Sequence, residues 1–126
     1  MTSEQVRAEL PGVLASPGVA RTLVRDALRA WGLSGLEDTA LLLASELATN
    51  AVLHARSTFL LEVQRTGAGV RIAVSDTAAG SPAARRYALQ SSNGRGLAMV
   101  DQLATGWGTD AGTGVYAKTV WFELRA

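Results

Sequence analysis

Residues 57–76 read STFLLEVQRTGAGVRIAVSD, two runs of alternating apolar residues separated by a glycine-rich break. Phe59, Leu61 and Val63 alternate with Leu60, Glu62 and Gln64, and Val70, Ile72 and Val74 alternate with Arg71, Ala73 and Ser75. Successive side chains of a strand point to opposite faces, so this spacing predicts a β-hairpin with one buried face, turned at Gly67-Ala68-Gly69. Asp76 keeps the parity of Val70, Ile72 and Val74 and therefore ends the buried face on a carboxylate. Such a group must be hydrogen-bonded or metal-bound. It reads either as a turn aspartate capping Thr77 or as an acceptor for an exocyclic amino group in a pocket.

Toward the N-terminus the period changes to that of a helix. The run from Glu37 and Asp38 through Leu41, Leu42, Leu43, Leu47 and Val52 to about His54 is apolar most of the way round, which predicts a largely buried helix. Glu46, Asn50 and His54 interrupt it at four-residue intervals. Each step turns the helix by about 400°, so the three side chains share one stripe. They read either as the helix's solvent edge or as a site in which Asn50 supplies a hard oxygen ligand and Glu46 a base. An earlier helix is predicted from Ser16 and Pro17, as N-cap and first-turn proline, to Gly32. Its apolar face is Val19, Leu23, Ala27 and Trp31, with Val24 and Leu28 beside them. Residues 1–15 hold one weak edge strand or a tail.

Toward the C-terminus residues 77–95 hold no period and contain Gly80, Pro82, Gly94 and the polar string Gln90-Ser91-Ser92-Asn93. Loops of that length in a compact domain usually serve a function or move. Asn93-Gly94-Arg95-Gly96-Leu97 then opens a short helix to Ala104, with Leu97, Val100 and Leu103 on one side. The two glycines make either a plain loop-to-helix turn or a place where backbone N–H groups cradle a phosphate. They match neither the Walker pattern nor the dinucleotide fingerprint. Strands near Gly106–Asp110 and Gly114–Leu124 complete the order β-α-α-β-β-loop-α-β-β. This order predicts an α+β fold, a two-layer sandwich with helices on one face of a mainly antiparallel mixed sheet.

Composition narrows the chemistry. The 126 residues are 48% apolar with a formal net charge of +1, enough chain for one ordinary domain spanning 1–126. Cysteine is absent, which excludes disulfides, Cys-ligated zinc and thiol catalysis. His54 is the only histidine, so no poly-His metal site exists. The near-zero charge gives no footprint for direct nucleic-acid binding. The longest apolar stretch, Ala40 to Ala44, is far below the ~20 residues of a membrane span. Met1 to Leu10 lacks the apolar region of a secretory peptide. A cytoplasmic protein without membrane contacts is expected.

Taken together, the Glu-x3-Asn helix, the hairpin ending in Asp, the long loop and the Gly-x-Gly-Leu helix start resemble the ATPase and kinase superfamily of histidine kinase catalytic domains, gyrase and the heat-shock chaperone ATPase, known as GHKL or Bergerat-fold proteins. Within it the chain is most similar to the anti-sigma-factor serine kinases. Glu46-Leu47-Ala48-Thr49-Asn50-Ala51-Val52-Leu53-His54 resembles their N-box, Val74-Ser75-Asp76-Thr77-Ala78-Ala79-Gly80 the G1 box, and Gly94-Arg95-Gly96-Leu97 the G2 box. Lys118-Thr119-Val120-Trp121-Phe122 resembles the last strand.

The resemblance implies the Bergerat (histidine-kinase-like ATPase) fold, binding ATP under a lid. It implies that Asn50 coordinates Mg²⁺, that Asp76 accepts from the adenine amino group and that Glu46 activates the attacking hydroxyl. Gly80, Gly94, Arg95, Gly96 and Leu97 belong to the nucleotide-binding boxes, and Thr49 matches a position near the nucleotide. The implied activity is transfer of the ATP γ-phosphate to a serine of an anti-anti-sigma (STAS-type) antagonist by a protein that also binds a sigma factor and can form a homodimer. Two departures from the family pattern stand out. Ala78 replaces the first G1 glycine, and Ala117-Lys118 stands where Gly-Thr is usual, with Lys118 rather than Thr119 in phase with Val120 and Phe122. Both leave room for an alternative, a non-catalytic, nucleotide-regulated partner-binding module of the same fold. A detached histidine kinase catalytic domain is disfavoured, because nothing in the chain supplies a dimerising phospho-acceptor helix.

Overall fold

The structure, a computed structural model, describes residues 4–77 and 96–126. Among these, strands β1 (Gln5–Leu10), β2 (Phe59–Arg65), β3 (Gly69–Asp76), β4 (Gly106–Ala111) and β5 (Lys118–Arg125) form one sheet in the order β1-β2-β3-β5-β4. Every pairing is antiparallel. Helices α1 (Ser16–Ala30), α2 (Glu37–Asn50) and α3 (Gly96–Leu103) cover one face. The fold is the expected two-layer α+β sandwich, and its described strands are wholly antiparallel rather than mixed.

The hairpin of β2 and β3 forms with the register its alternation requires, Leu61 opposite Val74 and Val63 opposite Ile72. Gly69 donates its N–H to Thr66 Oγ1 at 2.9 Å and accepts from the Thr66 N–H at 2.9 Å, which closes the turn. Glycine is required at 69 because a Cβ there would stand 2.0 Å from the Leu124 carbonyl oxygen. Phe59, Leu61, Val63, Val70, Ile72, Phe122 and Leu124 line the inner face of the sheet and are buried against Val24, Leu28, Leu43, Leu47 and Val100 of the helices. Burying each large apolar side chain stabilises the fold by about 1.5–3 kcal/mol.

Several boundaries differ from the sequence expectation, each for a local reason. Residues 5–10 form a full six-residue edge strand, because β2 offers it a complete ladder from Gln64 to Phe59. The cap of α1 is Ala15, and Ser16 is instead the first helical residue, buried, its hydroxyl donating to the Pro11 carbonyl at 2.5 Å. The buried face of α1 is centred on Ala20, Val24, Ala27 and Leu28, while Val19 in the first turn is exposed. On α3 Val100 is buried and Leu103 exposed. β5 begins at Lys118 rather than near Gly114, because residues 112–117 fold into a loop whose Ala117 N–H donates to the Asp76 carbonyl at 2.8 Å.

Helix α2 does not run on to His54 as an α-helix. From Ala51 to Ala55 it widens into a π turn, with the Arg56 N–H bonded to the Ala51 carbonyl, and ends at Arg56 in the left-handed region. Its start is tied to α1 by Glu37, which pairs with Arg29 at 3.0 Å and Arg25 at 3.5 Å.

Candidate functional site

α2 packs against α1, β3 and α3, and the π turn that follows it packs against β3. The stripe Glu46, Asn50, His54 therefore runs along the inner layer toward the end of β3. A four-residue step on an α-helix drifts by about 40°, and the wider π turn advances less per residue, which offsets that drift at His54. The π turn thus directs His54 to the strand end occupied by Asp76.

Asp76 is 4% exposed, as its parity requires, and so belongs to the inner layer rather than to a solvated turn. Lys118 stands directly opposite it in the β3–β5 register, with Nζ 3.9 Å from Asp76 Oδ2. Neighbouring Thr119 points to the other face, where its hydroxyl bonds Ser75 Oγ at 2.7 Å. The expectation that Lys118, not Thr119, shares the side of Val120 and Phe122 holds. The Ser57 and Thr77 hydroxyls bond to one another across the ends of β2 and β3, which ties down the residue after Asp76.

His54 lies in the field of both members of this pair. Burial first, and then the Lys118 ammonium, push its pKa below the ordinary 6.5, with the Asp76 carboxylate opposing them. The imidazole is therefore neutral at pH 7. Asn50 is buried at 9% exposure, and its Oδ1, together with Glu46 Oε2, is withdrawn from solvent without a hydrogen-bond partner among the described residues. Two acceptor oxygens one helical turn apart are thus desolvated on the side chains that the sequence singles out. Burying an acceptor without a partner is costly, so the pair is suited to a ligand that supplies donors or a cation.

Glu46, Asn50 and Asp76 therefore stand on neighbouring inner-layer elements, with His54 and Lys118 beside Asp76. Thr49 is half-buried on α2, next to Asn50. Gly96 and Leu97 open α3, the helix that packs on α2. Gly80, Gly94 and Arg95, together with Ala78 and nearly all of the long loop, lie outside the described residues. The sequence-derived site set omits Lys118, whose position beside Asp76 is signalled only by its phase with Val120 and Phe122.

The family model for the histidine kinase-like ATPase domain matches residues 12–117. These bounds take in α1, α2, the hairpin, α3, β4 and the loop before β5, and so contain Glu46, Asn50, His54 and Asp76. No curated protein matches the chain with significance.

Proposed function

Because the chain belongs to the histidine kinase-like ATPase domain family, which implies ATP binding, we propose that it is an anti-sigma factor with serine kinase activity, acting on an anti-anti-sigma antagonist of the STAS type. The observation that supports this reading best is the stripe of Glu46 and Asn50, with desolvated acceptor oxygens that have no partner among the described residues, on the helix that packs beside the buried carboxylate of Asp76.

These residues fit a magnesium nucleotide. Mg²⁺ is commonly held by one or two protein oxygens together with phosphates and water, so the single carboxamide oxygen of Asn50 is an adequate protein ligand. Asp76 accepts from the adenine amino group, with Thr49 near the nucleotide. By the resemblance, Gly94 and Gly96 serve the phosphates, and Gly80, Arg95 and Leu97 belong to the nucleotide-binding boxes. The metal supplies neutralisation of charge on the transferred phosphoryl group. Glu46 takes the proton from the antagonist's serine hydroxyl as that oxygen bonds to the γ-phosphorus. The bond from the γ-phosphorus to the bridging oxygen breaks, and ADP leaves with the electron pair. The protein works in the cytoplasm, on sigma factor and antagonist, with homodimerisation as in the resembling group. Among the described residues no helix is long and apolar enough to cross a membrane.

A general base is worth about 10²–10⁴-fold in rate and little in ground-state binding. Glu46→Gln should therefore keep ATP and sigma-factor binding but lose most radiolabel transfer to the antagonist's serine. If the wild type forms the complex with its antagonist and transfers no phosphate, the kinase assignment fails. A non-catalytic partner-binding module would then be the reading that remains.

A further inference from the structure

We propose that Lys118 is a second reader of the nucleotide base, donating a hydrogen bond to the ring nitrogen at position 1 of adenine while Asp76 accepts from the amino group at position 6. This inference rests on the adenine-binding role given to Asp76 above.

The Watson–Crick edge of adenine presents a donor and an acceptor on adjacent positions. A carboxylate alone satisfies only the donor. Asp76 and Lys118 are directly opposed residues on paired strands and face the same side of the sheet. The next ladder bond, from the Ala117 N–H to the Asp76 carbonyl at 2.8 Å, fixes the backbone on which Lys118 is mounted. The two head groups therefore offer an acceptor and a donor side by side, the complement of that edge.

Three features favour reading over mere structural pairing. Nζ and Oδ2 are 3.9 Å apart, beyond the 2.7–3.2 Å of a made hydrogen bond, so the Lys118 ammonium is not tied to Oδ2 by one. The side chains are only 19% and 6% exposed, and a charge-assisted hydrogen bond formed there is stronger than one in water. The third group at this end, His54, has its pKa lowered by burial and by Lys118 itself. Lys118 is therefore the cation of this corner among the described residues. Thr119, the neighbouring hydroxyl, is committed to Ser75 on the opposite face.

The test is calorimetric titration with ATP and with 1-deaza-ATP, in which a C–H group replaces the acceptor nitrogen and the amino group is kept. Wild-type protein should bind ATP about ten-fold or more tightly than the analogue, the value of one hydrogen bond to a charged donor. Lys118→Met should bind the two nucleotides within about two-fold of one another, closing a cycle that isolates this contact. Lys118→Arg, which keeps a charged donor, should retain discrimination. Equal binding of both nucleotides by the wild type overturns the proposal and leaves Asp76 as base acceptor intact. Tighter ATP binding by Lys118→Met also overturns it, because Lys118 would then only obstruct the carboxylate. Failure of the wild type to bind either nucleotide overturns the ATP-site reading itself, and the proposal with it.

Discussion

At the scale of single residues, Asp76 pairs with Lys118 and is the residue that the proposed site assigns to the base. An amide at this position offers one acceptor oxygen and a competing donor where the carboxylate offers two acceptors. Asp76→Asn should weaken ATP by about ten-fold or more, the loss expected when a hydrogen bond involving a charged group is removed. Unchanged affinity by calorimetry would remove Asp76 from the nucleotide site. His54 gives a second test, through pH. Its folded pKa lies below the ordinary 6.5, first because it is buried and then because Lys118 is near. As pH falls, the unfolded chain takes up the imidazole proton before the folded chain does, so acid favours unfolding. Unfolding free energies of wild type and His54→Gln, measured from pH 7.5 down to 5.5, should show the wild type losing stability relative to the variant below about pH 6.5. A relative gain in acid would mean that the imidazolium is stabilised by Asp76 and that the sign is reversed.

At the scale of elements, the hairpin and the long helix were readable because their signals are local. Parity alone placed Phe59, Leu61, Val63, Val70, Ile72 and Val74 on one buried face and carried Asp76 with them. The same parity placed Lys118 in phase with the inner face. What escaped is set by partners distant in sequence. β1 does alternate, Val6, Ala8 and Leu10 against Gln5, Arg7 and Glu9, but so short a run gains its ladder only from β2, which is itself held by β3. The π turn at Ala51–Ala55 has no composition signal, yet it carries His54, which lies in the field of Asp76 and Lys118. Gly69 links the two kinds of information, a turn glycine by sequence and a packing glycine by structure. Its missing Cβ leaves room for the Leu124 carbonyl oxygen at the end of β5. Gly69→Ala should therefore cost about 1–3 kcal/mol through overpacking, read as a lower urea midpoint at unchanged slope. A neutral outcome would show that the end of β5 shifts freely.

At the scale of the whole molecule, the fold and the site draw on the same elements. α2 lays its apolar side on the sheet and carries Glu46 and Asn50, while β3 is the central strand and ends on Asp76. Two desolvated acceptors without partners among the described residues are a local cost that the surrounding core must offset. A ligand that satisfies them should add its binding free energy to global stability, because the unfolded chain offers no such site. At one hundred times its dissociation constant, a ligand stabilises by about 2.7 kcal/mol, which for a chain of this size raises the melting temperature by on the order of 10 °C. ATP with Mg²⁺ should produce a shift of that order in the wild type, and ATP with a chelator a smaller one. Asn50→Ala removes the proposed protein ligand for the metal while leaving Asp76 and Lys118 in place. Its melting temperature should therefore respond to ATP alike with Mg²⁺ or with chelator, and by less than the full wild-type shift. If Asn50→Ala retains the whole magnesium-dependent increment, the metal is held elsewhere, and the buried Oδ1 of Asn50 must answer to a different ligand.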